Sequence, residues 1–286
     1  MLSNLNIKRI ALWLFIIMVL AFGTAGLIFA AEGFTGIFTG IKSQDINTDK
    51  TLSMDNIKNV YIDVVSEDVN IIPADSKDIK VHFYGSYSSS KAGVPELKVQ
   101  NTQGKLNIKV TQPIVVGLNF RNSDLKLDIY LPKSYSESVS INTVSGDLNI
   151  EGFDMDGFNF SSVSGNLNAL SLSTKDSGMN TTSGDAVIKG FCGNLRFSSV
   201  SGDIDIKYSN FNSNLKINTT SGESKIKLPE SSGFSLKFDS VSGSTHSNFP
   251  LSTKEKPGSH HSEALLGNGT NRIEVNTVSG DLDISR

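Results

Sequence analysis

From about residue 57 onward, apolar and polar side chains alternate in short runs, as in LRF at 195–197, LKI at 215–217 and IDI at 204–206. A period of two over a few residues predicts strands with one buried face. No long stretch with helical spacing exists outside the first thirty-one residues. The runs are also copies of one another. INTVSGDLNI at 141–150 recurs as FSSVSGNLNA at 160–169, MNTTSGDAVI at 179–188, FSSVSGDIDI at 197–206 and INTTSGESKI at 217–226. FDSVSG at 238–243 and VNTVSGDLDI at 275–284 complete the series. Counting from the serine before glycine, the anchors are Ser145, Ser164, Ser183, Ser201, Ser221, Ser242 and Ser279. They lie about 19 residues apart, except that the last step is close to a double period. IDVVSEDVNI at 62–71 and VQNTQGKLNI at 99–108 extend the register upstream, with Glu67 replacing glycine in one and Gln103 replacing serine in the other.

Apolar positions four before and three after the anchor differ in parity, so a bend must separate two short strands in each repeat. Glycine beside the anchor is the residue that permits it. Neither strand can bury its face alone, and stacking identical coils solves this. The expected fold is all-β: a parallel β-solenoid of coils about 4.8 Å apart, built on Ser-Gly repeats of about 19 residues. The expected core ladder is Ile141, Phe160, Met179, Phe197, Ile217, Phe238 and Val275, with a second ladder of Val144, Val163, Val200, Val241 and Val278. Thr143, Ser162, Thr181, Ser199, Thr219, Ser240 and Thr277 are expected to stack as hydroxyls bonded along the rod. Residues 79–83 and 125–131 read as extra strands, and 85–96 and 244–270 as exposed loops. The C-terminal repeat, read as the end of the rod at Arg286, leaves an edge barely covered. An antiparallel sandwich is the rival architecture, although it does not require a constant register.

The N-terminal pattern is different. Ile10–Ala31 carries no charge, and twenty-two residues at about 1.5 Å span about 33 Å, enough for a hydrocarbon core of about 30 Å. Lys8 and Arg9 precede the run, and Lys42 is the only positive charge in the first fifteen residues after it. The positive-inside rule then gives a cytoplasmic N-terminus (1–9), a transmembrane helix (10–31), a juxtamembrane linker (32–51) and an extracytoplasmic solenoid (52–286). The competing reading is a cleaved signal peptide, for which Thr24-Ala25-Gly26 is a poor cleavage site.

Composition narrows the function classes. The 286 residues include about forty serines, about twenty-five asparagines and 25 glycines, with 19% charged residues. A net charge of −3 gives no field for nucleic acid. One cysteine, Cys192, rules out a disulfide framework or thiolate zinc site and reads as a small filler side chain. After each Ser-Gly come Asp147, Asn166, Asp185, Asp203, Glu223, Ser244 and Asp281. Stacked at coil spacing, Asp185, Asp203 and Glu223 are the candidate oxygen ligands for Ca²⁺. The plainer reading, an aspartate bonding nearby backbone amides at a turn, is preferred. His260, His261 and Glu263 sit in an expected loop and lack the geometry of a zinc site. Trp13 is in the apolar run and many phenylalanines fall on core positions, so no aromatic sugar cleft accompanies the carboxylates. The chain reads as a non-enzyme without a cofactor.

The TVSGDLxI repeat behind one N-terminal span resembles the bacterial putative-adhesin family of unknown function, which includes the LiaG-like membrane-anchored envelope proteins. The resemblance covers about 57–286 and is strongest from 139; GNGTNRIEVNTVSGDL at 267–282 is its most family-like stretch. It implies a β-solenoid outside the membrane with a structural or binding role toward a cell-wall polymer or envelope protein. A place as an accessory to envelope-stress signalling is the alternative, and a polysaccharide-acting enzyme is a third. It carries no catalytic residue.

Overall fold

One apolar face per strand forces the repeats to stack, and the computed structural model shows how. It describes residues 42–90, 93–114, 121–253 and 260–286, where strands, turns and irregular backbone occur without a helix. The expected span at 10–31 lies outside these residues; no helix within them is long and apolar enough to cross a membrane. The first strands are β1 (Lys42–Ser53), β2 (Asn59–Asp63), β3 (Asp68–Ala74), β4 (Asp78–Ser89), β5 (Glu96–Thr102), β6 (Lys105–Thr111) and β7 (Arg121–Pro132). The repeats supply β8 (Ser138–Asn142), β9 (Leu148–Ser161), β10 (Leu167–Asn180), β11 (Ala186–Ser198), β12 (Ile204–Tyr208), β13 (Leu215–Asn218) and β14 (Ser224–Lys227). The last are β15 (Phe234–Asp239), β16 (Thr245–Ser247), β17 (Ser252–Thr253), β18 (His261–Leu266), β19 (Asn271–Asn276) and β20 (Leu282–Ser285).

Strands before the corner form one row, β5-β6-β2-β8-β9-β10-β11-β13-β19-β15-β18-β17. Strands after it form a second, β1-β4-β7-β3-β9-β10-β11-β12-β14-β20-β16. Through the repeats every pairing is parallel, with Leu167 beside Leu148 and Ala186, and the register is matched at the corners and slips by one residue only mid-strand, at 173–176 and 189–191. This is a solenoid stack rather than an antiparallel sandwich. Antiparallel pairs are confined to its two ends. The strands expected at 79–83 and 125–131 are parts of β4 and β7.

Chain order and spatial order diverge at both ends. Coils follow one another by their corners at 66, 145, 164, 183, 201, 221, 279 and 242. The C-terminal repeat is therefore interior, with β19 between β13 and β15 and β20 between β14 and β16. The expected bare edge at the C-terminus does not exist. Arg286 instead lies 5.3 Å over the Phe249 ring and donates to the Asn248 carbonyl at 3.2 Å. The 99–108 copy is also not a coil. β5 and β6 form an antiparallel hairpin turning at Gln103 and Gly104, with φ of 52° and 79°, the signature of a two-residue mirror-image turn. Lys42–Thr51, expected as linker, is the body of β1; the expected loops contain the end of β4 and strands β16, β17 and β18.

The first core ladder is buried along its full length, from Ile141 through Phe160, Met179, Phe197 and Ile217 to Val275 and Phe238. The second ladder is not. Val144, Val163, Val200, Val278 and Val241 are 48, 49, 51, 47 and 70% exposed. Residues one before the anchor and the anchor serine both point out, so the change of phase falls between them. The interior place belongs to the hydroxyl two before the anchor. Thr143 Oγ1 accepts from Gly146 N at 2.9 Å; Ser162, Thr181, Ser199, Ser240 and Thr277 accept from the amides of Gly165, Gly184, Gly202, Gly243 and Gly280 in the same way at 2.5–2.9 Å. These hydroxyls chiefly cap their own corners; along the rod Thr143 and Ser240 also donate, at a long 3.5 Å, to the Val65 and Val278 carbonyls of the neighbouring coils.

Candidate binding face

The residue after each Ser-Gly does bond along the rod. Asn166 N donates to Asp147 Oδ1 at 2.8 Å, Asp185 N to Asn166 Oδ1 at 2.9 Å, Asp203 N to Asp185 Oδ1 at 2.9 Å and Glu223 N to Asp203 Oδ1 at 2.7 Å. Asp68 starts the row at Asp147 N, 3.1 Å away, and Asp281 accepts from Ser244 N at 2.7 Å. Asp185 and Asp203 each spend an oxygen on the next coil's amide, and Glu223 pairs with Lys225 at 2.8 Å. No group of three acidic, histidine or cysteine side chains suited to a metal occurs among the described residues. We expect Asp203→Ala to lose about 1 kcal/mol and about 2–4 °C in melting temperature, and Asp203→Asn, which keeps the acceptor, to stay within about 0.5 kcal/mol. Thermal melts of the two variants check this.

The other candidates fall apart as a site. His260 Nδ1 meets the Gly243 carbonyl at 3.0 Å, whereas His261 opens β18 and pairs with Asp239 on β15. Cys192 is half-buried in β11. Glu67, which breaks the Ser-Gly motif, is fully buried and holds its corner together. Its Oε2 accepts from Val65 N and Ser66 N at 2.9 and 3.1 Å, and its Oε1 from Gln112 Nε2 at 2.5 Å.

A larger feature lies on the outer surface of the row before the corner. An open trough of about 850 Å³ crosses six coils there, lined at outward positions five and seven before each anchor. Gly157 and Gly178 contribute no side chain to its floor, while Asn159, Asn180, Asn194 and Asn214 supply amides. Asn194 donates to Asp176 at 3.1 Å, and its Oδ1 accepts from Asn214 N at 2.9 Å. Glu274 joins Lys216 at 2.7 Å and Arg272 at 2.9 Å, whereas Arg196 has no ion pair among the described residues. No aromatic side chain lines the trough, and every phenylalanine among the described residues is buried. The trough can therefore hold a ligand by hydrogen bonds and charge, at a repeat of about 4.8 Å along a floor of about 24 Å. The sequence pattern placed these positions on the outer face but offered no reason to single them out from any other polar row.

Three carboxylates are held below their ordinary range: Glu274 chiefly by the Lys216 ammonium, Asp239 by Lys237 and then His261, and Asp281 by the Ser244 amide and hydroxyl. A depressed folded-state pKa stabilises the fold above the unfolded values, 3.8 for aspartate and 4.5 for glutamate, and that stability is lost as pH falls through the lower folded values. Melting temperature should hold from neutral pH to about 5 and decline below about 4. Glu274→Gln should flatten the decline, and salt should weaken its contribution because its partners Lys216 and Arg272 reach solvent.

A family model, Toastrack DUF4097, matches residues 57–171 and again 153–285, and so takes in nearly all of the repeat region. The chain belongs to the Toastrack DUF4097 family. No curated protein matches. Among solved structures, a "putative cell adhesion protein" of Clostridium sporogenes is 20% identical, with 85% of this chain and 99% of that one covered and a TM-score of 0.36. A "putative adhesin" of Bacteroides fragilis is 13% identical over 86% and 98%, with a TM-score of 0.43. A "putative lipid binding protein" of Parabacteroides distasonis is 12% identical over 86% and 97%, with a TM-score of 0.34. The two overlapping Toastrack matches meet at 153–171, inside the run of coils whose register is unbroken from β8 to β10.

Proposed function

We propose that this Toastrack protein is a non-catalytic binding module of the cell envelope, anchored through residues 10–31 with its solenoid outside, and that the trough holds an extended polar polymer lying along the rod. The trough carries this reading: amides and charges repeat about every 4.8 Å. A linear glycan advances by a similar distance per sugar, so successive units would meet successive coils, each with its own amide, hydroxyl or charge. Weak contacts repeated along such a surface sum to useful avidity without a deep pocket. The anchoring reading rests on the uncharged run and on Lys8 and Arg9 before it. Residues 42–286 applied to a polysaccharide array should retain a subset of cell-wall glycans. Arg196→Ala with Lys216→Ala should weaken retention at least fivefold, while Glu151→Ala, outside the trough, should leave it unchanged. Absence of retention on any wall polymer would remove the polymer reading. Digestion of the solenoid by protease added to intact cells is the expected result for the topology, and protection of the solenoid would overturn it.

A further inference from the structure

The outward valines form a continuous feature. In spatial order the corner positions are Val65, Val144, Val163, Thr182, Val200, Thr220, Val278 and Val241, one per coil. The six valines are 36–70% exposed. Seven steps of about 4.8 Å make a ridge about 34 Å long, apolar except for the hydroxyls of Thr182 and Thr220. No lysine or arginine occupies the ridge or the serine row beside it. Exposed apolar side chains set singly need no explanation, but six valines aligned in one row of this length mark an interaction surface.

The flanks of the ridge differ, and that difference selects an occupant. On one side, the six interior coils present only amides and hydroxyls three before the anchor: Asn142, Ser161, Asn180, Ser198, Asn218 and Asn276. On the other side the same coils present Asp147, Asn166, Asp185, Asp203, Glu223 and Asp281, which are exposed or half-buried. An anionic membrane surface is disfavoured beside such a row. Two copies face each other by a two-fold axis either along the ridge or across it. An axis across the ridge runs the rods antiparallel and sets carboxylates against carboxylates, which is repulsive. An axis along the ridge runs the rods parallel, with each acidic row against the partner's amide and hydroxyl row, where carboxylate oxygens accept hydrogen bonds.

We propose that the valine ridge is the interface of a parallel, two-fold symmetric homodimer in which each valine meets its own counterpart at the same height. A strip about 34 Å by about 15 Å covers about 500 Å² per copy, or about 1,000 Å² in all, at the lower limit for a specific interface. The dimer is therefore weak and reversible. It rests on the valines and not on the trough, which adjoins the ridge's amide flank at Asn180.

Position-specific disulfide trapping in the full-length chain tests it, with Cys192→Ser removing the native thiol. Val144→Cys, Val200→Cys and Val278→Cys should each form self-linked dimers on mild oxidation, at least tenfold above Glu151→Cys on another corner. Val163→Lys in the Val278→Cys background should cut the linked fraction at least tenfold while leaving the melting temperature unchanged, because the residue replaced is half exposed. Linking of Val144→Cys to Val278→Cys in mixtures, with neither linking to itself, would mean antiparallel rods and overturn the proposal. So would no linkage above the Glu151→Cys level, or linkage chiefly to a chain of different mass.

Discussion

Gly202→Ala should destabilise the protein by about 3–5 kcal/mol, a large part of the roughly 5–15 kcal/mol that holds a typical domain folded. The cause is a close approach rather than a special backbone angle. A Cβ at Gly202 would lie 2.0 Å from the Gly184 carbonyl oxygen, and no flexible side chain is there to yield. Gly165, Gly184, Gly222, Gly280 and Gly243 repeat this contact at 1.9–2.2 Å, each against the corner of a neighbouring coil. Any retreat of the corner loosens three bonds together: Gly202 N to Ser199 Oγ at 2.7 Å, Ser201 N to Thr182 O at 2.9 Å and Asp203 N to Asp185 Oδ1 at 2.9 Å. The same geometry explains Glu67. Each corner's Cβ faces the preceding coil, and no corner precedes Glu67 among the described residues, so a side chain fits there. Urea unfolding should show a much lower midpoint for Gly202→Ala with an unchanged slope. Ser201→Ala, which removes only a 3.4 Å hydroxyl contact, should stay close to the parent. A Gly202→Ala midpoint equal to that of Ser201→Ala would mean the corners are not close-packed.

The repeat made the coil legible because one residue per strand fixes its parity. Ile141 and Leu148 set which residues point inward on either side of the corner, and the whole first ladder follows. The valines depart from the expected second ladder because apolarity at a corner does not imply burial. At the corner, the threonine or serine hydroxyl bonds the glycine amide and so can be buried at little cost, and the valine beside it turns outward. At 99–108 the repeat pattern competed with local turn chemistry, and the Gln103–Gly104 hairpin won. Spatial order was beyond the sequence for a different reason. Every repeat presents the same edges, so matched registers say which residues pair but not which coils are neighbours. The trough was illegible because its residues are ordinary outward polar positions, and only stacking brings Asp176, Arg196 and Lys216 together.

Spatial order sets the second large effect, which is removal of the C-terminal repeat. If coils stacked in chain order, a chain ending at Thr270 would lose one end coil and keep most of its stability, as repeat proteins do. Here β19 and β20 lie between coils on both sides. Truncation removes Ile273, Val275, Leu282 and Ile284, all buried, at about 1.5–3 kcal/mol each, or about 6–12 kcal/mol. It also uncovers Ile217 and Phe238 on the facing coils and deletes the Glu274 partner of Lys216. Cooperative melting should therefore vanish, and limited proteolysis should cut between 204 and 270. Deletion of residues 1–53, which among the described residues removes the mostly exposed β1 from the outer side of β4, should leave a cooperative transition. Retention of a melt within a few degrees of the parent by the chain ending at Thr270 would contradict the interior placement. The placement also delays folding, because the coils at 221 and 242 lack their shared neighbour until residues 271–285, downstream of both, take their place. Those late contacts, such as Lys216 with Glu274, span 58 residues and bear the loop-closure cost that slows non-local β pairing.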